Sequence, residues 1–143
     1  NGKEFLAQIR RATGLKFRIL SGEEEAYYGT LGVINSMGLK DGLVIDIGGG
    51  STEIGQIKDG GVARGFTSTL GAVRLTETYI KTDPVVQSDL DKLMAAIDAV
   101  FQSWEWMSVG KDHHFVGIGG TIRALARIDR TMRGYPLGLV HGY

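Results

Sequence analysis

The sequence contains no cysteine. Disulfides and thiolate metal sites are therefore excluded, and a reducing compartment is permitted. Net charge is also missing: 16 Lys and Arg balance 16 Asp and Glu. No block of like charge offers a nucleic-acid or membrane surface. The sequence shows no signal peptide, and it lacks the apolar run of roughly 18 residues that a membrane helix requires. A soluble, cytoplasmic protein is expected. Glycine, by contrast, is abundant, at 22 of 143 residues, about double ordinary usage. A hydrophobic share of 43% suits a globular chain long enough for one domain with its own core. The chain opens without an initiator methionine and stops on His141-Gly142-Tyr143, which points to a piece of a longer polypeptide.

The glycines concentrate at one stretch. Leu43 to Ile47 is an apolar run broken only by Asp46; Gly48-Gly49-Gly50-Ser51-Thr52-Glu53 follows, and Ile54 to Ile57 resumes a strand-like pattern. The expected order is strand, tight turn, strand. Glycines tolerate positive φ and let backbone N–H groups approach an anion. One reading is a phosphate cradle, with Ser51 and Thr52 donating hydroxyls and Asp46 and Glu53 at the rim to hold a hydrated divalent cation or orient a water. The other is a glycine-rich hairpin with its polar residues in solvent. The stretch is neither a dinucleotide fingerprint nor a Walker A loop, because a strand follows and no Gly-Lys-Ser or Gly-Lys-Thr is present.

Around this centre the periodicity predicts a helix over residues 2–13 ending at Gly14, then a half-buried strand in which Leu15, Phe17 and Ile19 alternate with Lys16 and Arg18. Ser21 and Glu24 form a capping-box pattern that opens a helix to about Met37. The acids Glu23, Glu24 and Glu25 suit the positive end of that helix, or one of them serves as a general base. Asp59-Gly60 is a hairpin signal, placing a third strand over 62–67 and a helix beginning at 68–72. Ser88-Asp89-Leu90-Asp91 reads as a second capping box. It starts a helix through Leu93, Ile97, Val100 and Phe101 to Trp104, which packs in the core or, with Trp106, stacks on a base. Gly110 to Asp112 is a turn. His113 and His114 point to opposite faces and make a poor metal pair. Phe115 to Ile118 reads as a buried strand. Gly119-Gly120-Thr121 then turns into a helix, giving a second candidate phosphate cradle. Arg123 and Arg127 share a face of that helix, where they meet a polyanion or solvent. Residues 133–143 read as loop, with His141 in no catalytic role. The sum is an α/β layer, a mixed sheet flanked by helices.

Four motifs occur in order: Ser21-Gly22-Glu23-Glu24-Glu25-Ala26, Val44-Ile45-Asp46-Ile47-Gly48-Gly49-Gly50-Ser51-Thr52-Glu53, Gly71-Ala72-Val73-Arg74-Leu75 and Gly117-Ile118-Gly119-Gly120-Thr121. Together they resemble the exopolyphosphatase and guanosine-pentaphosphate phosphohydrolase (Ppx/GppA) family. The resemblance implies the actin-like, ribonuclease-H-like fold, with residues 1–24 ending a first domain and 25–143 forming most of a second. It also implies Mg²⁺-dependent removal of terminal phosphate from inorganic polyphosphate or guanosine pentaphosphate, by a parent protein that is a homodimer. By motif, Glu24 takes the place of the base, with Glu25 the alternative. Asp46 and Glu53 match the acidic pair at the metal and lytic water. Gly48, Gly49, Gly50, Ser51 and Thr52 match the phosphate turn, and Gly119, Gly120 and Thr121 the second glycine element. The glycine-serine turn that opens the family's first domain does not occur in this chain.

Overall fold

The computed structural model describes residues 2–104, 113–136 and 138; Trp106, the turn at 110–112 and His141 lie outside them. The chain runs α1 (Gly2–Thr13), α2 (Gly22–Met37), β1 (Gly42–Ile47), β2 (Thr52–Lys58), β3 (Gly61–Ser68), α3 (Ala72–Tyr79), α4 (Gln87–Gln102), β4 (His114–Ile118) and α5 (Gly119–Met132). The four strands form one sheet in the order β3-β2-β1-β4. β1, β2 and β3 are an antiparallel meander, as the turn signals predict, and β4 joins β1 in parallel.

Alternation along β1 divides the core. Val44 packs with Val33 of α2 and Ile57 on one face of the sheet. Ile45 packs on the other with Ile54, Trp104 and, at the edge of the cluster, Phe101 and Ile122. Trp104 is 7% exposed. Its ring lies 5.1 Å from Phe101 and 5.5 Å from Phe66, so it is a core residue. It sits two positions beyond the end of α4.

Helix α2 is held against the sheet by a deliberate lack of side chain. At Gly55 of β2 a Cβ would overlap the Thr30 hydroxyl. Thr30 is itself buried and donates to the Ala26 carbonyl at 2.7 Å. The capping box at the start of α2 is present: the Glu24 N–H donates to Ser21 Oγ and the Ser21 N–H to Glu24 Oε2. Gly38 closes the helix in the left-handed conformation.

Three expectations fail. The strand expected to be buried at 115–118 forms as part of β4, but Phe115 is 63% exposed and Val116, Gly117 and Ile118 are only half-buried. Residues 15–20 form no strand; Leu15, Phe17 and Ile19 are 58%, 53% and 63% exposed. An alternating pattern becomes a strand only against a ladder partner, and none is present among the described residues. The second capping box is also absent: α4 starts at Gln87 behind Val86, so Ser88 and Asp89 lie within its first turn. Asp89 is buried and accepts the Lys81 N–H at 3.0 Å, with Lys92 Nζ 3.9 Å away. Asp91, the carboxylate that the box would have used, accepts instead from Gln87 Nε2 at 2.8 Å.

Candidate functional site

The carboxylates of β1 and β2 meet at one end of the sheet. Asp46 and Glu53 are directly paired across the antiparallel ladder, so their side chains stand on the same face. That face is the one covered by α2, because Asp46 is two residues from Val44. Glu53 is 8% exposed, and its Oε1 accepts the Thr67 hydroxyl at 3.0 Å. The first turn of α2 lies against Thr67, where Gly22 leaves no room for a Cβ. A narrow notch results, lined by Glu25, Gly29 and Thr30 of α2 and by Asp46, Glu53 and Ile118 of the sheet.

Burial, and then the charge of Glu53, push the Asp46 pKa above the ordinary carboxylate value, while Arg123 of α5 opposes them. A carboxylate pair in which Glu53 is buried and Asp46 half-buried is short of positive charge. Among the described residues no three carboxylate or imidazole groups converge to hold a metal ion. A Mg²⁺ ion is commonly held by one or two carboxylates, with water and substrate phosphate completing its shell. Asp46 and Glu53 therefore fit it.

The two glycine elements flank this pair. In the first, the Gly48 N–H donates to the Ser51 carbonyl at 2.9 Å. The Gly48 and Gly49 carbonyls accept from Ala72, Val73 and Arg74 at the start of α3 at 2.9 to 3.0 Å. Gly71 lets the chain pass so close that a Cβ would overlap the Gly49 carbonyl. The N–H groups of Gly49, Gly50 and Ser51 donate to no protein acceptor among the described residues. None of Gly48, Gly49 or Gly50 has positive φ. The expected use of their left-handed freedom is not realised, because helix α3 holds the turn instead. Thr52 is buried and gives its hydroxyl to the Leu70 carbonyl, so it is committed within the protein. Ser51 is half-buried.

In the second element, Gly119 has φ +84° and leaves no space for a Cβ beside Asp46 Oδ1. Helix α5 begins there with no side-chain cap on its first turn, which holds Gly120 and Thr121. Arg123 and Arg127 are both exposed on α5. Of the two, Arg123 is the one whose charge Asp46 feels.

Glu24 is directed elsewhere. Arg18 Nη1 lies 2.7 Å from each of its carboxylate oxygens. That contact, followed by the Ser21 N–H, holds the Glu24 pKa below the ordinary value. The acid brought to the notch is its neighbour Glu25. Helical spacing carries that signal, since Glu25 stands four residues before Gly29.

A model of the Ppx/GppA phosphatase family matches residues 1–137. The chain belongs to that family. Exopolyphosphatase 1 of Mycobacterium leprae is 30% identical over 132 residues, covering 90% of this chain and 39% of that protein. A bifunctional 3-dehydroquinate synthase/phosphatase of Fusobacterium nucleatum is 29% identical over 99% of this chain and 22% of its own length. The crystal structure of the Aquifex aeolicus Ppx/GppA family member superposes with a TM-score of 0.77 at 30% identity, over 96% of this chain and 43% of that one. The chain thus spans about two fifths of the exopolyphosphatases it matches. The mixed four-stranded sheet with flanking helices is the actin-like ATPase fold of the family. No described helix is long and apolar enough to cross a membrane.

Proposed function

We propose that the protein of which this site is part hydrolyses the terminal phosphoanhydride of inorganic polyphosphate. The observation that carries the reading is the facing pair Asp46 and Glu53 under the notch rimmed by Glu25, beside a turn whose N–H groups at Gly49, Gly50 and Ser51 are unspent. A phosphoryl group is recognised by such N–H groups and needs little covalent help from the protein; positioning and charge do most of the work. Kinship with proteins named exopolyphosphatases supports the choice of substrate.

In this reading the terminal phosphate lies against the glycine turn, with the N–H groups at the start of α5 on its other side. Asp46 and Glu53 would hold Mg²⁺, which when bound offsets charge on the phosphoryl oxygens. Glu25 orients a water for in-line attack. The water oxygen bonds to the terminal phosphorus as the bridging P–O bond breaks, and the shortened polyphosphate leaves with the electron pair. The proton lost by the water passes to the Glu25 carboxylate and then to solvent. Glu24 stabilises the start of α2, so its neighbour is the better base.

Paired variants of the full-length parent test this assignment. Glu25→Gln is expected to lower kcat on polyphosphate by about 10²–10³-fold with little change in KM. Glu24→Gln is expected to leave turnover nearly intact, and Gln keeps an acceptor for the Ser21 N–H. The reverse pattern would return the role to Glu24. Guanosine pentaphosphate in the same assay decides between the family's two substrates.

A further inference from the structure

One residue of the third sequence motif has no role in the site so far described. Arg74 stands in the first turn of α3, and its Nη2 lies 4.0 Å from where a Cβ on Gly50 would be. Its guanidinium therefore reaches over the tip of the glycine turn. A cation in the first turn of a helix faces the positive end of the helix dipole and is disfavoured there. The first turn of α3 holds no acidic residue to offset it. Arg74 makes no ion pair among the described residues, and its side chain no hydrogen bond. Here the sequence breaks a local rule with no compensation among the described residues, a pattern met at functional sites.

The backbone makes this cation a fixed feature. Three N–H groups of α3 are spent on the carbonyls of Gly48 and Gly49. They lock the helix to the turn and leave α3 no amide to offer an anion. What the helix offers is Arg74. The opposite edge of the same turn carries the unspent N–H groups of Gly49, Gly50 and Ser51. A planar guanidinium and a row of amides around one turn suit the oxygens of a condensed phosphate.

We propose that Arg74 is a substrate-binding residue that grips phosphoryl oxygens of inorganic polyphosphate over the tip of the Gly48–Ser51 turn. The proposal rests on the polyphosphate reading of the same site. Calorimetric titration of the full-length parent, in a Glu25→Gln background that slows turnover, with inorganic tripolyphosphate and Mg²⁺ tests it. Saturable binding is expected, weakened about tenfold or more in Arg74→Met and restored in part by Arg74→Lys. Arg10→Met on α1 serves as a control for general charge and is expected to bind as the unmodified chain does. Arg74 is exposed, so circular dichroism melts of its variants are expected to match the parent. Equal affinity in Arg74→Met, or an equal loss in Arg10→Met, overturns the assignment of Arg74 and leaves the polyphosphate reading standing. Failure of the full-length parent to bind tripolyphosphate overturns both.

Discussion

The turn at Gly48–Ser51 follows β1, and the junction at Gly117–Thr121 includes the end of β4. The two strands run parallel and adjacent, so the two glycine elements sit side by side at one end of the sheet. Their glycines answer different needs. At the first, backbone docks on backbone: carbonyls of the turn take the leading N–H groups of α3, and Gly71 allows the approach. At the second, glycine makes room for side chains. Gly117 lies where a Cβ would come within 2.6 Å of Ile122 Cγ2, and Gly119 where one would strike the Asp46 carboxylate. Two elements of similar composition thus supply one site with a rigid amide frame and with space for a charged side chain.

The sharpest break of this comparison is at Gly71. A Cβ there meets the backbone of Gly49 and Gly50, which cannot rotate away as a side chain could. Gly71→Ala is expected to cost about 3 kcal/mol, in line with forced overpacking against rigid neighbours. The loss is read as a lowered urea midpoint at unchanged m-value. A cost below about 1 kcal/mol would mean that α3 can slide off the turn, and that the turn is not a fixed frame.

Next come the neighbours Gly119 and Gly120. Gly119→Ala suffers twice, from its φ of +84° and from the Asp46 oxygen in its path; about 2 kcal/mol is expected. A Cβ on Gly120 meets nothing within 4 Å and its φ is ordinary. Gly120→Ala should stay within about 0.5 kcal/mol, and alanine's better helix propensity favours a small gain. Parallel thermal melts check the contrast, and equal costs would remove the special status of Gly119.

Much of this arrangement is legible in the sequence, and the exceptions share a cause. Asp59-Gly60 and the apolar runs beside it specify the three-stranded meander through local chemistry. The Ser21–Glu24 box is equally local, and the pairing of Asp46 with Glu53 follows from a short turn between two strands. What escapes is set by distant partners. Leu15 to Ile19 alternates like a strand, yet no described strand pairs with it. Asp89 sits in a capping pattern, but the Lys81 N–H recruits it. Thr52 reads as a phosphate donor until the Leu70 carbonyl, 18 residues away, takes its hydroxyl. Glu24 matches the base by motif, and its pairing with Arg18 is equally absent from the motif. A motif gives the residue types; which neighbouring carboxylate turns toward the notch depends on how α2 is rotated over the sheet.

A further prediction concerns Asp46 itself. Burial and the Glu53 charge raise its pKa above the ordinary value of 3.8. The folded chain then binds this proton more tightly than the unfolded chain. Between 3.8 and the raised native value the folded state holds more protons, so this group's contribution to stability falls as pH rises through that window. Above the window the ionised carboxylate remains a cost. Asp46→Asn removes that cost and is expected to raise stability at pH 7. Below pH 3.8, where Asp46 is protonated in both states, the gain should vanish. Urea titrations at pH 7 and pH 3.5 measure both ends of this dependence. Added Mg²⁺ is expected to stabilise the unmodified chain and to have a weaker effect on Asp46→Asn. A variant that is less stable at pH 7 would show that the folded protein favours the charged form of Asp46, and the pair would then be a structural contact rather than the cation site proposed above.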